Sequence, residues 1–98
     1  MHEQAKKIAE LLKVLANENR LMILCALMDG DMTVGELCAK VTGISQPALS
    51  QHLLLMRASG ILDSEKKGQN VTYTIADHRV DEIINVLKNY YCKETENE

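Results

Sequence analysis

The sequence predicts a mainly α-helical fold with a small β-hairpin, in the order α-α-α-α-β-β-α. Three observations carry that prediction. Thr33-Val-Gly-Glu36 has the spacing of a capping box, in which a Thr hydroxyl and a Glu carboxylate satisfy two orphan N–H groups reciprocally. It opens a short helix, which Thr42-Gly43-Ile44 separates from a second helix at Ser45, the signature of a helix-turn-helix. Beyond these, Val71, Tyr73 and Ile75 alternate with Thr72 and Thr74, the period of a half-buried strand, after a Lys-Lys-Gly-Gln-Asn tip.

Taken in order, residues 3–15 place Ile8, Leu11, Leu12 and Leu15 on one stripe, with Lys6, Lys7, Glu10 and Lys13 elsewhere. Asn17 caps a second helix, where Leu21, Leu24, Cys25 and Met28 form the stripe. Ile23 and Leu27 widen it, so this helix is expected to be the most buried, and Asp29-Gly30-Asp31 ends it. The third helix runs to Val41, with Val34, Leu37, Cys38 and Val41 spaced for burial. After the hairpin, Asp77 caps a last helix in which Val80, Ile83, Ile84, Leu87 and Tyr91 recur at helical spacing. This arrangement is a winged helix-turn-helix. It forms one domain over residues 1–92, with a polar C-terminal tail at 93–98. The first and last helices retain apolar stripes that are expected to pair across a homodimer.

The stretch SQPALSQHLLLMR, residues 45–57, organises the rest. Ser45 is an N-cap, and Pro47 falls in the first turn, where a missing N–H costs nothing. Leu49, Leu53 and Met56 make one buried face, whereas Gln46, Ser50 and Gln51 offer uncharged hydrogen-bonding groups elsewhere. Amides and hydroxyls at a helix N-terminus suit a DNA major groove, with backbone N–H groups for phosphates and Gln for base edges. The bland alternative is an ordinary amphipathic helix.

Composition narrows the class. The chain has 98 residues and lacks Phe and Trp, so its core must be built from Leu, Ile, Val and Met. Net charge is −3, which argues against indiscriminate nucleic-acid binding. Residues 40–79, however, hold Lys40, Arg57, Lys66, Lys67 and Arg79 against Asp63, Glu65 and Asp77, a local balance of +2. That fits a DNA reader with few phosphate contacts and a sharp salt dependence. No apolar run approaches the roughly 18 residues of a membrane span, and the amphipathic N-terminus reads as no signal peptide. Three cysteines, an odd number, point to a reducing cytoplasm. No paired carboxylates, Ser-His-Asp set or Gly-rich phosphate loop suggests an enzyme.

The runs LANENRLMILCAL, VGELCAKV, SQPALSQHLLLMRASGIL and GQNVTYTI resemble the ArsR/SmtB family of bacterial transcriptional repressors, over roughly residues 8–92. The resemblance implies a homodimer that binds palindromic double-stranded operator DNA and leaves it when an inducer arrives. It also implies DNA-facing positions at Ser45, Gln46, Ser50, Gln51 and His52, with Lys67 and Gln69 in the wing. For His52 a second reading stands open, a buried histidine bonded to the neighbouring helix. Leu54 and Leu55 stand where family members often carry small or basic residues, which weakens any expectation of backbone contacts there.

The family places different sensor sites on this scaffold. Its arsenic site needs a Cys-Val-Cys arrangement at the third helix, where this chain has Thr33 and Gly35. Cys38, one turn on and alone, reads as a small buried hydrophobe. Its zinc site on the last helix would start with Asp77 and His78, but Tyr90, Tyr91 and Lys93 follow where ligands are needed. No metal and no cofactor are therefore expected. Cys25 and Cys92 instead resemble the cysteine pair of the persulfide- and sulfide-responsive branch. There a thiolate attacks a sulfane sulfur and a second thiol resolves the product as a disulfide or longer bridge. Taken singly, Cys25 reads as core packing, since it lies within the Leu21–Met28 stripe. Cys92 sits off the Ile84–Leu87 stripe, and Lys88 and Lys93 nearby favour a thiolate. Two alternatives remain: a repressor answering a thiophilic metalloid, As(III) or Sb(III), and a helical interaction module without DNA binding.

Overall fold

The computed structural model describes the backbone of residues 1–96 and the side chains of residues 1–91. Five helices and three strands follow in the order α1 (His2–Leu15), α2 (Glu18–Met28), β1 (Met32–Thr33), α3 (Val34–Lys40), α4 (Gln46–Ala58), β2 (Leu62–Lys67), β3 (Asn70–Ile75) and α5 (His78–Glu96).

Local chemistry sets most of the element boundaries. Asn17 Oδ1 accepts from Arg20 N at 3.1 Å and starts α2. The capping box forms completely: Thr33 N donates to Glu36 Oε1 at 3.0 Å, and Glu36 N to Thr33 Oγ1 at 3.2 Å. These bonds to Thr33, the backbone one first, hold the Glu36 carboxyl below its ordinary pKa. Ser45 Oγ accepts from Ala48 N at 3.2 Å at the head of α4. The other end of α4 is closed by Gly60, at φ +81°: its N–H bonds Arg57 O at 3.0 Å, and Ile61 N bonds Met56 O at 3.0 Å. Those two bonds are a Schellman motif, and the buried side chains of Met56 and Ile61 supply its apolar contact. Ile61 O then accepts from Ala76 N and Asp77 N, which ties the start of α5 to the end of α4.

The hairpin is tighter than the sequence suggests. Lys66 and Lys67 are strand residues, facing Val71 and Asn70, and only Gly68-Gln69 turn the chain. Gly68 has φ +64° and Gln69 a negative φ, the pattern of a type II′ turn, whose twist matches the strands it joins.

A third strand was not legible in the sequence. β1 pairs with β3, Met32 opposite Tyr73 and Thr33 opposite Thr72, so the sheet order is β1-β3-β2. Two residues carry no periodicity; the strand exists because β3 presents an edge to the chain as it enters α3.

The core is aliphatic: Ile23, Leu24, Leu37, Leu49, Leu53, Met56, Ile61 and Val80 are all fully buried, and Tyr73 is the one aromatic among the buried residues. In α2 the buried face is Ile23, Leu24, Ala26 and Leu27, with Leu21, Cys25 and Met28 half-buried. The stripe is thus rotated from the one expected, because α3, α4 and β3 all pack on this helix. In α1 only Leu15 is buried; Ile8 and Leu12 stay 51% and 49% exposed. α5 continues to Glu96, beyond the expected end at residue 92, since Lys93-Glu-Thr-Glu96 contains no helix breaker.

Candidate nucleic-acid interface and thiol cleft

α4 is held by its fully buried Leu49, Leu53 and Met56. That anchoring turns the opposite side outward. Ser45, Gln46 and Gln51 are exposed at the N-terminal half, and Ser50 is half-buried beside them. The same exposed side continues into apolar Leu54 and Leu55. In the hairpin, Lys66, Lys67 and Gln69 are all exposed. The array therefore offers a helix N-terminus, amides, hydroxyls and an exposed lysine pair beside the hairpin turn, the groups that meet phosphates and base edges.

His52 differs from its neighbours. It is half-buried, and its Nδ1 lies 3.5 Å from Arg20 Nη1 on α2. Arg20 also donates through Nε to Val14 O at 2.7 Å and through Nη2 to Lys13 O at 3.4 Å. A helix leaves its last carbonyls without intrahelical donors. In α1, Leu12 O and Leu15 O accept from Ala16 N and Asn17 N, so Arg20 takes the two that remain. Its charge also complements the negative end of the α1 dipole. Arg20 was missed in the sequence because its side-chain partners lie on two other elements, α1 and α4.

Cys25 is half-buried and lines an open cleft of 680 Å³ with Leu21, Met22, Lys40 and Lys88. Lys88 belongs to α5, and Cys92 follows it by one helical turn; the Cys92 side chain lies outside the described residues. Cys38 is half-buried on α3. His78, the start of the discounted zinc motif, has Nδ1 3.2 Å from Asp81 Oδ2. Asp77 caps α5 through Arg79 N at 3.1 Å and pairs with the Arg79 guanidinium at 2.9 and 2.7 Å. The hydrogen bond from Arg79 holds the Asp77 carboxyl below its ordinary pKa and raises that of Arg79. Among the described residues there is no group of three or more His, Cys, Asp or Glu placed to hold a metal ion. No described helix is long and apolar enough to cross a membrane.

A capped helix with an exposed polar N-terminal side, a Gly turn before it and a hairpin with an exposed lysine pair after it define a winged helix-turn-helix. The sequence profile described as bacterial regulatory protein, arsR family, matches residues 17–64. The transcriptional activator HlyU of Vibrio cholerae is 42% identical over 93 residues, covering 95% of this chain and 85% of that protein. The HlyU structure superposes with a TM-score of 0.86 over 94% of this chain and 99% of that one. The biofilm growth-associated repressor of Xylella fastidiosa is 36% identical over 92 residues, covering 94% and 80%. The crystal structure of the transcriptional repressor BigR from Xylella fastidiosa also matches at a TM-score of 0.86, covering 94% and 93%. The regulator YgaV of Escherichia coli is 39% identical over 92 residues, covering 94% and 93%. The chain belongs to the ArsR family of bacterial transcriptional regulators, which are DNA-binding proteins and not enzymes.

Proposed function

We propose that this chain is a cytoplasmic, homodimeric repressor that releases a palindromic operator when persulfide or polysulfide oxidises Cys25 and Cys92. The observation that carries the reading is the cleft that Cys25 shares with Lys88, one helical turn before Cys92 on α5. A structure described as reduced HlyU from Vibrio cholerae is among the matching relatives, at 42% identity and a TM-score of 0.86, and is in keeping with a redox reading.

In the proposed reaction the Cys25 thiolate attacks a sulfane sulfur of the polysulfide. A Cys25 persulfide forms, and the shortened polysulfide leaves as its anion. Cys92 then attacks the Cys25 sulfur and expels hydrosulfide; in a longer adduct, attack on the sulfur next to the terminal one expels that terminal sulfur as hydrosulfide and leaves a bridging chain of sulfur atoms. The two thiols lose two electrons and two protons, and one sulfane sulfur is reduced to sulfide. Bridging α2 to α5 re-spaces the two reading helices of a dimer, whose half-sites about 34 Å apart tolerate little such error. On the operator, Ser45, Gln46, Ser50 and Gln51 face the major groove, and Lys67 and Gln69 follow the phosphate backbone.

The test is operator release by polysulfide in the wild-type chain and in Cys25→Ser and Cys92→Ser, with mass spectrometry of the products. Release that persists in both variants would sink the proposal. Release by arsenite with no response to polysulfide would transfer the switch to the metalloid reading.

A further inference from the structure

We infer that Arg20 fixes the tautomer of His52, so that His52 Nε2–H is presented as a donor to a DNA phosphate oxygen. This rests on α4 being the helix that meets DNA. A guanidinium only donates, so the imidazole nitrogen 3.5 Å from Nη1 is the acceptor of this contact, which assigns the ring proton to Nε2. Nε2 has no protein partner among the described residues. It also reaches solvent, since Asp81 Oδ1 is the one buried side-chain N or O atom described without a partner.

Position favours a phosphate over a base. His52 lies at the flank of α4, between the buried Leu49–Leu53–Met56 face and the exposed side of Gln51. A flank residue of a helix in the major groove looks at the groove wall, which is sugar and phosphate. Arg20 is itself immobilised by the α1 carbonyls of Lys13 and Val14, so it gives the ring a fixed reference. The two readings of His52, DNA contact and inter-helix bond, become the two nitrogens of one ring. Arg20 is a positioning residue, and His52 makes the contact.

Side-chain amides separate the two ends of the ring. Asn places its polar atoms near the site of Nδ1, and Gln near that of Nε2. The experiment uses the full chain and a duplex that the wild type selects from a randomised pool. Failure of the wild type to select any duplex would overturn the DNA reading itself, an outcome distinct from any difference between the His52 variants. His52→Gln is expected to bind within about threefold of wild type, and His52→Asn about tenfold more weakly, the scale of one hydrogen bond. Equal losses, or the reverse order, overturn the inference.

Nitrogen-15 spectra of the His52 imidazole give a readout that a merely structural role would not move. The free protein is expected to show the Nε2–H tautomer, and Arg20→Lys a mixture of the two, with an unchanged salt slope for DNA binding. The Nδ1–H tautomer in the wild type overturns the inference. So does a slope reduced by about one in Arg20→Lys, since Arg20 would then be touching a phosphate itself.

Discussion

Cys25 and Lys88 line one cleft, although they lie on helices at opposite ends of the chain. A cation beside a thiol draws in anionic reagents. Lys88→Ala should therefore slow the modification of Cys25 by an anionic disulfide about two- to fivefold, the scale of one surface charge interaction. An uncharged disulfide should react at the wild-type rate. Stopped-flow thiol kinetics with both reagents checks this; equal slowing of both would mean that Lys88 acts through cleft shape.

The apolar side chains left outside the core predict the assembly. Ile8 and Leu12 on α1, with Val86 and Leu87 on α5, are each about half exposed. Leu12 lies outside the buried core, so Leu12→Asp gives up only partial packing within one chain and the monomer should stay folded. Sedimentation should show loss of the dimer, and operator affinity should drop about a hundredfold or more as the two half-sites cease to be linked.

Closure of α4 depends on Gly60. A Cβ there meets no atom within 4 Å, so Gly60→Ala carries only the conformational cost of φ +81°. That cost is about 1 kcal/mol. Thermal unfolding at fixed protein concentration should show a midpoint lower by about 4–8 °C.

Core truncation should act differently. Leu53 is fully buried under the reading helix, and Leu53→Ala should cost about 2–5 kcal/mol. A domain of this size is typically stable by only about 5–15 kcal/mol. Denaturant titration should therefore show a large loss, with DNA binding falling in step with the folded fraction.

Acid should weaken the start of α5. Arg79 holds the Asp77 carboxyl below its ordinary pKa, so the charged form is favoured by folding. The stabilisation is present above the unfolded value and is lost as pH falls through the folded one, which places the loss below about pH 4. Asp77→Asn keeps a capping oxygen but no charge. It should cost about 0.5 kcal/mol near neutrality, given that Arg79 is largely exposed, and the difference from wild type should vanish in acid. Urea unfolding of both proteins across that range checks the sign.

The sequence by itself determined whatever a few neighbouring residues can enforce. The caps at Asn17, Thr33 and Ser45, the buried Leu49–Leu53–Met56 face and the alternation of Val71, Tyr73 and Ile75 all appear as read. Each depends on hydrogen bonds or burial repeating within a turn or a strand. Tertiary structure decided the rest. β1 exists only against Tyr73 and Thr72; the buried face of α2 is set by what packs on it; and Arg20 on α2 ties α1 to α4. Cys25 and Lys88 come to line one cleft only in the folded chain, which places α2 and α5 around it. Such contacts join residues far apart in the chain, and neither spacing nor periodicity carries a trace of them.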